Sequence, residues 1–276
     1  MTIDLSAIHD KALSIAKKAG TLLREHFGNT DLETEFKGEN NMVTSADKAS
    51  QELIISSLKL HFPDHMILAE EDYSNDDFLG NLWVIDPLDG TTNFYHGFPV
   101  FSVSIAFCVK KKPMVGVVYD PMRDEMFTAI KNRGAYLNGK PINVSGTMNL
   151  SESLLGTGFP YERKTTPKNN LENFQRIIMG CHGVRRAGSA ALDLCSIASG
   201  RLDAFWELKL KPWDIAAGAL IIQEAGGVVN SILPSETGSG ALLCPADIFN
   251  GDIIASNGNL SRELAPLVNI PDENNI

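Results

Sequence analysis

Trp83-Val84-Ile85-Asp86-Pro87-Leu88-Asp89-Gly90-Thr91-Thr92-Asn93-Phe94 is the stretch on which the reading of this chain turns. An apolar strand runs straight into two acids separated by a Pro-Leu turn. The apolar flank argues against ordinary surface solvation. Two carboxylates directed into one cleft repel each other, and nearby positive charge is needed to keep both ionised at neutral pH. The local donors are all oxygen: carboxylates, backbone carbonyls such as that of Leu88, and the Thr91 hydroxyl. Hard Mg²⁺ is their natural match. The same Asp86–Gly90 segment also reads as a plain turn, because Asp, Pro and Gly are standard turn formers.

Further acids shift that balance. Glu70 follows the short apolar run Met66-Ile67-Leu68-Ala69 and meets Asp86 if the two strands end at one sheet edge, with Glu71 and Asp72 facing solvent. Asp214, in Pro212-Trp213-Asp214-Ile215-Ala216-Ala217-Gly218, opens a helix rich in small residues, where a capping role is the alternative to metal binding. Helix starts at Gly90-Thr91 and Gly188-Ser189-Ala190 offer amides and positive dipole ends to phosphate oxygens. Acids, cations and amide donors together point to metal-assisted hydrolysis of a phosphate ester.

The rest of the chain frames these segments. Residues 5–27 carry apolar side chains at a helical period, and a second helix starts at Thr44 or Ser45, with Asp47 in its first turn, and stops before Pro63. Strands are expected at 66–69, 82–85, 101–109, 114–119 and 125–130, with a tight hairpin at Asn138-Gly139, so that the first half holds an antiparallel meander. The second half mixes strands near 154–158, 203–208, 227–230 and 252–255 with helices near 189–199, 214–225 and 260–268. Two α/β lobes follow, residues 1–145 carrying most of the acids and 146–276 contributing Asp214. The Lys164–Asn170 region reads as an exposed, mobile loop.

Composition excludes several classes. The 276 residues are 43 % hydrophobic and 21 % charged, as in an ordinary globular protein rather than a disordered or fibrous one. Lys and Arg number 24 against 34 Asp and Glu, and a net charge of -10 disfavours non-specific binding to nucleic acids or anionic membranes. No apolar run is long enough to span a bilayer and no secretory leader opens the chain, so the expected location is the cytoplasm. Cys108, Cys181, Cys195 and Cys244 are scattered and read as buried free thiols. The chain lacks GxxxxGK[ST], GxSxG and HExxH motifs. His61 and His65 flank Pro63 and read as surface histidines, and Lys110-Lys111-Lys112 reads as a solvated hairpin turn.

Taken together, Val43-Thr44-Ser45-Ala46-Asp47, Glu70-Glu71, Trp83–Phe94, Gly188-Ser189-Ala190-Ala191 and Trp213–Gly218 followed by Glu224-Ala225-Gly226-Gly227 resemble the inositol monophosphatase family, within the wider group of Mg²⁺-dependent, lithium-sensitive phosphatases. Arg185–Leu194 looks especially like bacterial members. The resemblance implies a layered αβαβα sandwich, a homodimer, and hydrolysis of myo-inositol monophosphate by an activated water without a phospho-enzyme. It implies one Mg²⁺ on Glu70, Asp86 and the Leu88 carbonyl, a second on Asp86, Asp89 and Asp214, and a third, weaker ion near Glu70. It puts Thr91, Asp47 and Glu70 in the catalytic set, with Thr91 and Asp47 orienting or deprotonating the attacking water. Gly90 and Thr91 amides would hold the phosphate, and Asp89, Gly188, Ser189, Ala190, Glu207 and Asp214 would line the alcohol side. Ala69 and Asn41 depart from common family residues, and Lys37 is either near the site or solvated. Fructose 1,6-bisphosphate and nucleotide 3′-phosphates are alternative substrates of the same chemistry, for which Arg185, Arg186, Lys209 and Lys211 are the candidate basic groups. Some bacterial relatives also associate with the transcription apparatus, which makes a regulatory binding role the alternative of a different class.

Overall fold

The computed structural model describes residues 3–29, 34–36, 42–70, 80–234 and 240–271. The readings of Lys37, Asn41, Glu71 and Asp72 lie outside the described residues. Helix α1 (Leu5–His26) is capped by Asp4, whose Oδ1 accepts from the amides of Ser6 at 3.0 Å and Ala7 at 3.2 Å. Its buried stripe Ile8, Ala12, Ile15, Ala16, Ala19 and Leu23 follows the helical period. The short pair β1 (Thr34–Phe36) and β2 (Met42–Thr44) leads into α2 (Ser45–His61), with Thr44 as N-cap.

The first large sheet runs β3 (Met66–Ala69), β4 (Asn81–Asp89), β5 (Ser102–Val109), β6 (Lys112–Asp120), β7 (Glu125–Ile130), β8 (Ala135–Leu137) and β9 (Lys140–Pro141) in sequential order. β3 pairs in parallel with β4, and every later pair is antiparallel, giving the expected meander. The Lys110-Lys111 turn takes positive φ at both residues, the conformation a two-residue hairpin requires. The second sheet has the order β11-β10-β12-β15-β13-β14, built from β10 (Leu154–Thr157), β11 (Gly183–Arg185), β12 (Ala204–Glu207), β13 (Val228–Pro234), β14 (Ala241–Pro245) and β15 (Ile253–Ser256).

Strand alternation sorts the core into layers. On β4, Trp83 and Ile85 face α1 and α2, while Leu82 and Val84 face α5 (Ala190–Ala198) and α6 (Pro212–Glu224). On β12, Phe205 faces α5 and α6, while Ala204 and Trp206 pack towards α4 (Leu171–Ile178) and α7 (Ser261–Leu264). The order is therefore helix, sheet, helix, sheet, helix, the αβαβα sandwich expected. Helix α6 sits close on the first sheet because Gly116 has no side chain: a Cβ there would lie 2.8 Å from the Ala217 carbonyl oxygen.

Three local readings are corrected. His65 is half-buried rather than a freely exposed surface residue: its ring stacks on Phe62 and Phe107 and receives the Trp83 indole N–H at 3.2 Å. The Lys164–Asn170 segment is not exposed throughout: Asn170 is buried and Lys168 pairs with Asp252 at 3.2 Å. The helix expected over 260–268 is one turn, Ser261–Leu264, followed by a 3-10 turn at Ala265–Leu267, where Pro266 cannot continue the hydrogen-bond ladder. Of the thiols, Cys108 and Cys195 are buried and Cys181 and Cys244 are half-buried; all four are free. No helix among the described residues is long and apolar enough to cross a membrane.

Candidate active site

The two acids of the 83–94 segment lie three residues apart, and on a regular strand that spacing would send their side chains to opposite faces. A β-bulge corrects it. Asp86 pairs with Ser104 and Asp89 with Ser102, so the β4 side spends one extra residue between them. Pro87, which has no N–H for the ladder, suits that position. Both carboxylates consequently face the middle helical layer. Beside them, parallel pairing places Ala69 opposite Ile85, and Glu70 emerges next to Asp86 at the same sheet edge.

The middle layer supplies the remaining acid. Asp214 stands in the first turn of α6, accepts the Lys211 amide at 2.7 Å, and so caps the helix as well as facing the cleft. One carboxylate oxygen from each of Asp86, Asp89 and Asp214 lies within 4.8 Å of the others. Burial pushes the Asp86 carboxyl well above the usual range, helped by the negative field of Glu70, Asp89 and Asp214. Burial does the same to Asp214, with Asp89 adding to it. Asp89 is raised less because hydrogen bonds from Ser189 and Ala191 oppose its burial. An all-oxygen donor set with crowded, undercompensated negative charge fits a hard divalent cation, whose charge would relieve the repulsion.

The helix start at Gly188-Ser189-Ala190 already receives an anion from the chain itself. Asp89 Oδ2 accepts from the Ser189 hydroxyl at 2.5 Å and from the Ala191 amide at 2.9 Å. At the other start, Gly90 takes a left-handed conformation (φ 101°) as the N-cap of α3 (Thr91–Tyr95). A Cβ on Gly90 would come within 3.1 Å of the carbonyl oxygens of Val100 and Gly188, so glycine is needed for space as well as for φ. Asn93 locks the two starts together, donating to Val100 O at 2.7 Å and Ala187 O at 2.8 Å.

Behind Thr91 lies Asp47. The Thr91 hydroxyl is 2.9 Å from Asp47 Oδ1 and 3.1 Å from the Leu88 carbonyl, while Asp47 Oδ2 accepts from the Thr44 amide at 2.8 Å. Asp47 is thus held by the α2 cap and touches the cleft through Thr91.

These parts border one cavity of about 270 Å³. Glu70, Asp86, Leu88, Asp89, Gly90 and Thr91 line one wall, and Gly188, Ser189, Ala190, Glu207 and Asp214 line the other. Of the basic candidates, Arg186, Lys209 and Lys211 line it, while Arg185 is exposed at the end of β11 and does not. Burial holds the Glu207 carboxyl up at about 8, with Asp193 reinforcing it and Arg186 opposing. Asp193 and Tyr161 are among the lining residues that went unread in the sequence. Asp193, 4 % exposed on α5, resembled any acid in the first turn of a helix. Tyr161, 41 % exposed, lines the cavity from a loop with no pattern to mark it.

Comparison with known proteins agrees with this arrangement. The model of the inositol monophosphatase family matches residues 4–271. The chain is 42 % identical over 267 residues to the inositol-1-monophosphatase of a Synechocystis species, covering 95 % of this chain and 88 % of the relative. It is 40 % identical over 264 residues to the Nus factor SuhB of Escherichia coli K12, covering 95 % of each. Among solved structures, an inositol monophosphatase from an Anabaena (Nostoc) species superposes with a TM-score of 0.83 at 41 % identity, covering 96 % of both chains. The family is metal-dependent, and its named phosphatases support a phosphatase here. With the layered sandwich, the acid cluster and the whole-length match in agreement, the chain belongs to the inositol monophosphatase family.

Proposed function

We propose that the chain hydrolyses phosphate monoesters, with myo-inositol monophosphate as the best-matched substrate, and that two Mg²⁺ ions serve the reaction, with a third, weaker ion near Glu70. The observation that carries this reading is the convergence of Asp86, Asp89 and Asp214 oxygens within 4.8 Å at the wall of a cavity that also holds Glu207. Glu70, Asp86 and the Leu88 carbonyl would hold one ion; Asp86, Asp89 and Asp214 would hold the other. When bound, such ions supply Lewis acidity towards the phosphate and lower the pKa of water.

The chain's own groups do the rest. Thr91 has one proton and two acceptors within reach, and the charged one, Asp47, is the stronger. With its proton turned to Asp47, the Thr91 oxygen presents a lone pair to water in the cavity. It can take the water proton while passing its own to Asp47, leaving hydroxide to attack phosphorus as the P–O ester bond breaks; the departing alkoxide takes a proton from solvent water, and Asp47 gives its proton back to solvent, so that the alcohol leaves neutral and the site is restored. The Gly90 and Thr91 amides hold phosphate oxygens. Gly188, Ser189, Ala190 and Glu207 face the alcohol, where a carboxylate accepts hydrogen bonds that only a hydroxylated leaving group can offer.

Steady-state phosphate release from inositol 1-phosphate, with and without Mg²⁺, is the direct test, and no metal-dependent release rejects the reading. Asp89→Asn should depress turnover strongly while leaving the fold in place. Arg186, Lys209 and Lys211 at the cavity favour a second reading in which the leaving group carries its own phosphate, and a panel including fructose 1,6-bisphosphate and a nucleotide 3′-phosphate compares kcat/KM for the two. The exposed Tyr95 and Phe98, 45 % and 52 % accessible, support a homodimer, checked by sedimentation. The name of the Escherichia coli relative supports testing a cytoplasmic transcription-associated role by pull-down with the Asp89→Asn protein, where partner retention without hydrolysis would separate binding from chemistry.

A further inference from the structure

Strand β10 ends at the cavity on Thr157-Gly158, directly beside the end of β12. The two strands are parallel, Thr157 pairs with Trp206, and the next residues along are Gly158 and Glu207. A Cβ built on Gly158 would lie closer than 3.0 Å to both Glu207 carboxylate oxygens, a separation that real Cβ atoms essentially never show. Conformation does not explain the glycine, since Gly158 is not among the residues of positive φ. Space does.

Which partner would yield to a side chain there is decided by what holds each. The backbone at 157–158 is held from the opposite face by buried Asn170, whose Nδ2 donates to the Gly158 carbonyl at 2.7 Å and to the Thr157 hydroxyl at 3.0 Å. Asn170 is itself held by the Trp206 indole at 2.9 Å, and the Thr157 hydroxyl donates to the Trp206 carbonyl at 2.7 Å. The Glu207 carboxylate accepts no hydrogen bond among the described residues and ends a flexible side chain. The carboxylate, not the backbone, would move.

We propose that Gly158 is a positioning residue for substrate selectivity: its missing side chain seats the Glu207 carboxylate at the cavity wall, where it accepts hydrogen bonds from a hydroxylated leaving group. The inference rests on the phosphatase reading above and adds the position that sets which alcohol the cavity prefers.

The test compares wild type, Gly158→Ala, Glu207→Ala and the double variant, each loaded with Mg²⁺, on inositol 1-phosphate and on p-nitrophenyl phosphate, whose leaving group has no hydroxyl to offer. Gly158→Ala should lose about 10- to 100-fold in kcat/KM for inositol 1-phosphate, mainly through KM, which is the worth of a hydrogen bond to a charged group, the ionised form of Glu207 being the one that bound Mg²⁺ favours by bringing positive charge into the same cavity. Turnover of p-nitrophenyl phosphate should stay within about twofold of wild type, because that ester makes no such bond. Glu207→Ala should lose as much, and adding Gly158→Ala to it should cost nothing further. Unchanged selectivity in Gly158→Ala, or full additivity in the double variant, overturns the inference. Failure of the wild type on both esters overturns the phosphatase reading instead. Thermal melting keeps the contact testable if Gly158→Ala folds poorly: removing the Glu207 side chain should restore its Tm, and no recovery counts against the juxtaposition.

Discussion

Addition of Mg²⁺ to the metal-free protein at pH 7 should expel protons. Three carboxylates with oxygens within 4.8 Å of one another repel by roughly 3.5 kcal/mol per pair at an effective dielectric of about 20, or roughly 10 kcal/mol if all are ionised. That is comparable with the whole net stability of an ordinary domain, about 5–15 kcal/mol. The metal-free chain therefore keeps at least one of these groups protonated, in line with the raised Asp86 and Asp214 carboxyls. A cation needs them as carboxylates and displaces that proton. Titration calorimetry in two buffers of different ionisation enthalpy reads the number directly. About one proton per chain is expected at pH 7, falling as the pH is raised, because an acid with an elevated pKa is already ionised above it. At a Mg²⁺ concentration of about 100 times Kd the fold should gain about 2.7 kcal/mol, or about 5–10 °C in Tm. Saturable binding whose heat does not depend on the buffer would refute the electrostatic reasoning. Absence of binding would remove the cation site altogether.

Three further outcomes follow from other parts of the molecule. Burial lifts the Glu207 carboxyl from an ordinary 4.5 to about 8, so the folded state holds the extra proton between those values and stability is lost as pH rises through them; metal-free Glu207→Gln should melt above wild type at pH 8.5 and match it near pH 4.5, and a difference that does not vary with pH sinks the assignment. Thr91→Ala deprives buried Asp47 of a donor, which should cost about 1–3 kcal/mol in denaturant unfolding and about 100-fold or more in kcat, and turnover within about threefold of wild type would take Thr91 out of the reaction. Gly116→Ala should destabilise by about 1–3 kcal/mol by pushing α6 off the first sheet, and an unmoved denaturation midpoint would contradict the close approach.

Periodicity read the long elements well because their two buried faces are continuous. Helix α1, helix α2 and strands β3 to β7 are marked by the residues that fill the core on either side. The short pieces escaped. Strands β1, β2, β11 and β14 and helix α4 have only three to eight residues or depend on pairing across the chain, so no local pattern exceeds the background. At the site, the acids announced themselves by standing where apolar strands stop. The bulge between Asp86 and Asp89, which turns both to one side, is a matter of register with β5 and has no sequence signature beyond Pro87. The Gly188–Ala190 start was legible as an anion acceptor, but that Asp89 is the anion depends on tertiary packing. His65 was misread because its burial comes from Phe107, which lies far along the chain.

The α5–α6 layer touches both sheets, and the cleft runs along it. Asp89 reaches from the first sheet to the start of α5, and the Ser104 hydroxyl reaches the Trp213 carbonyl at 3.2 Å where α6 begins. The acidic cluster is thus a seam sewn from distant lengths of chain. A molecule lacking one side of that seam would have neither the crowded acids proposed to take a cation nor the cavity proposed to take an ester. On the proposed reading, cation capture and ester binding therefore both require the two sheets and the helical layer between them to be in place.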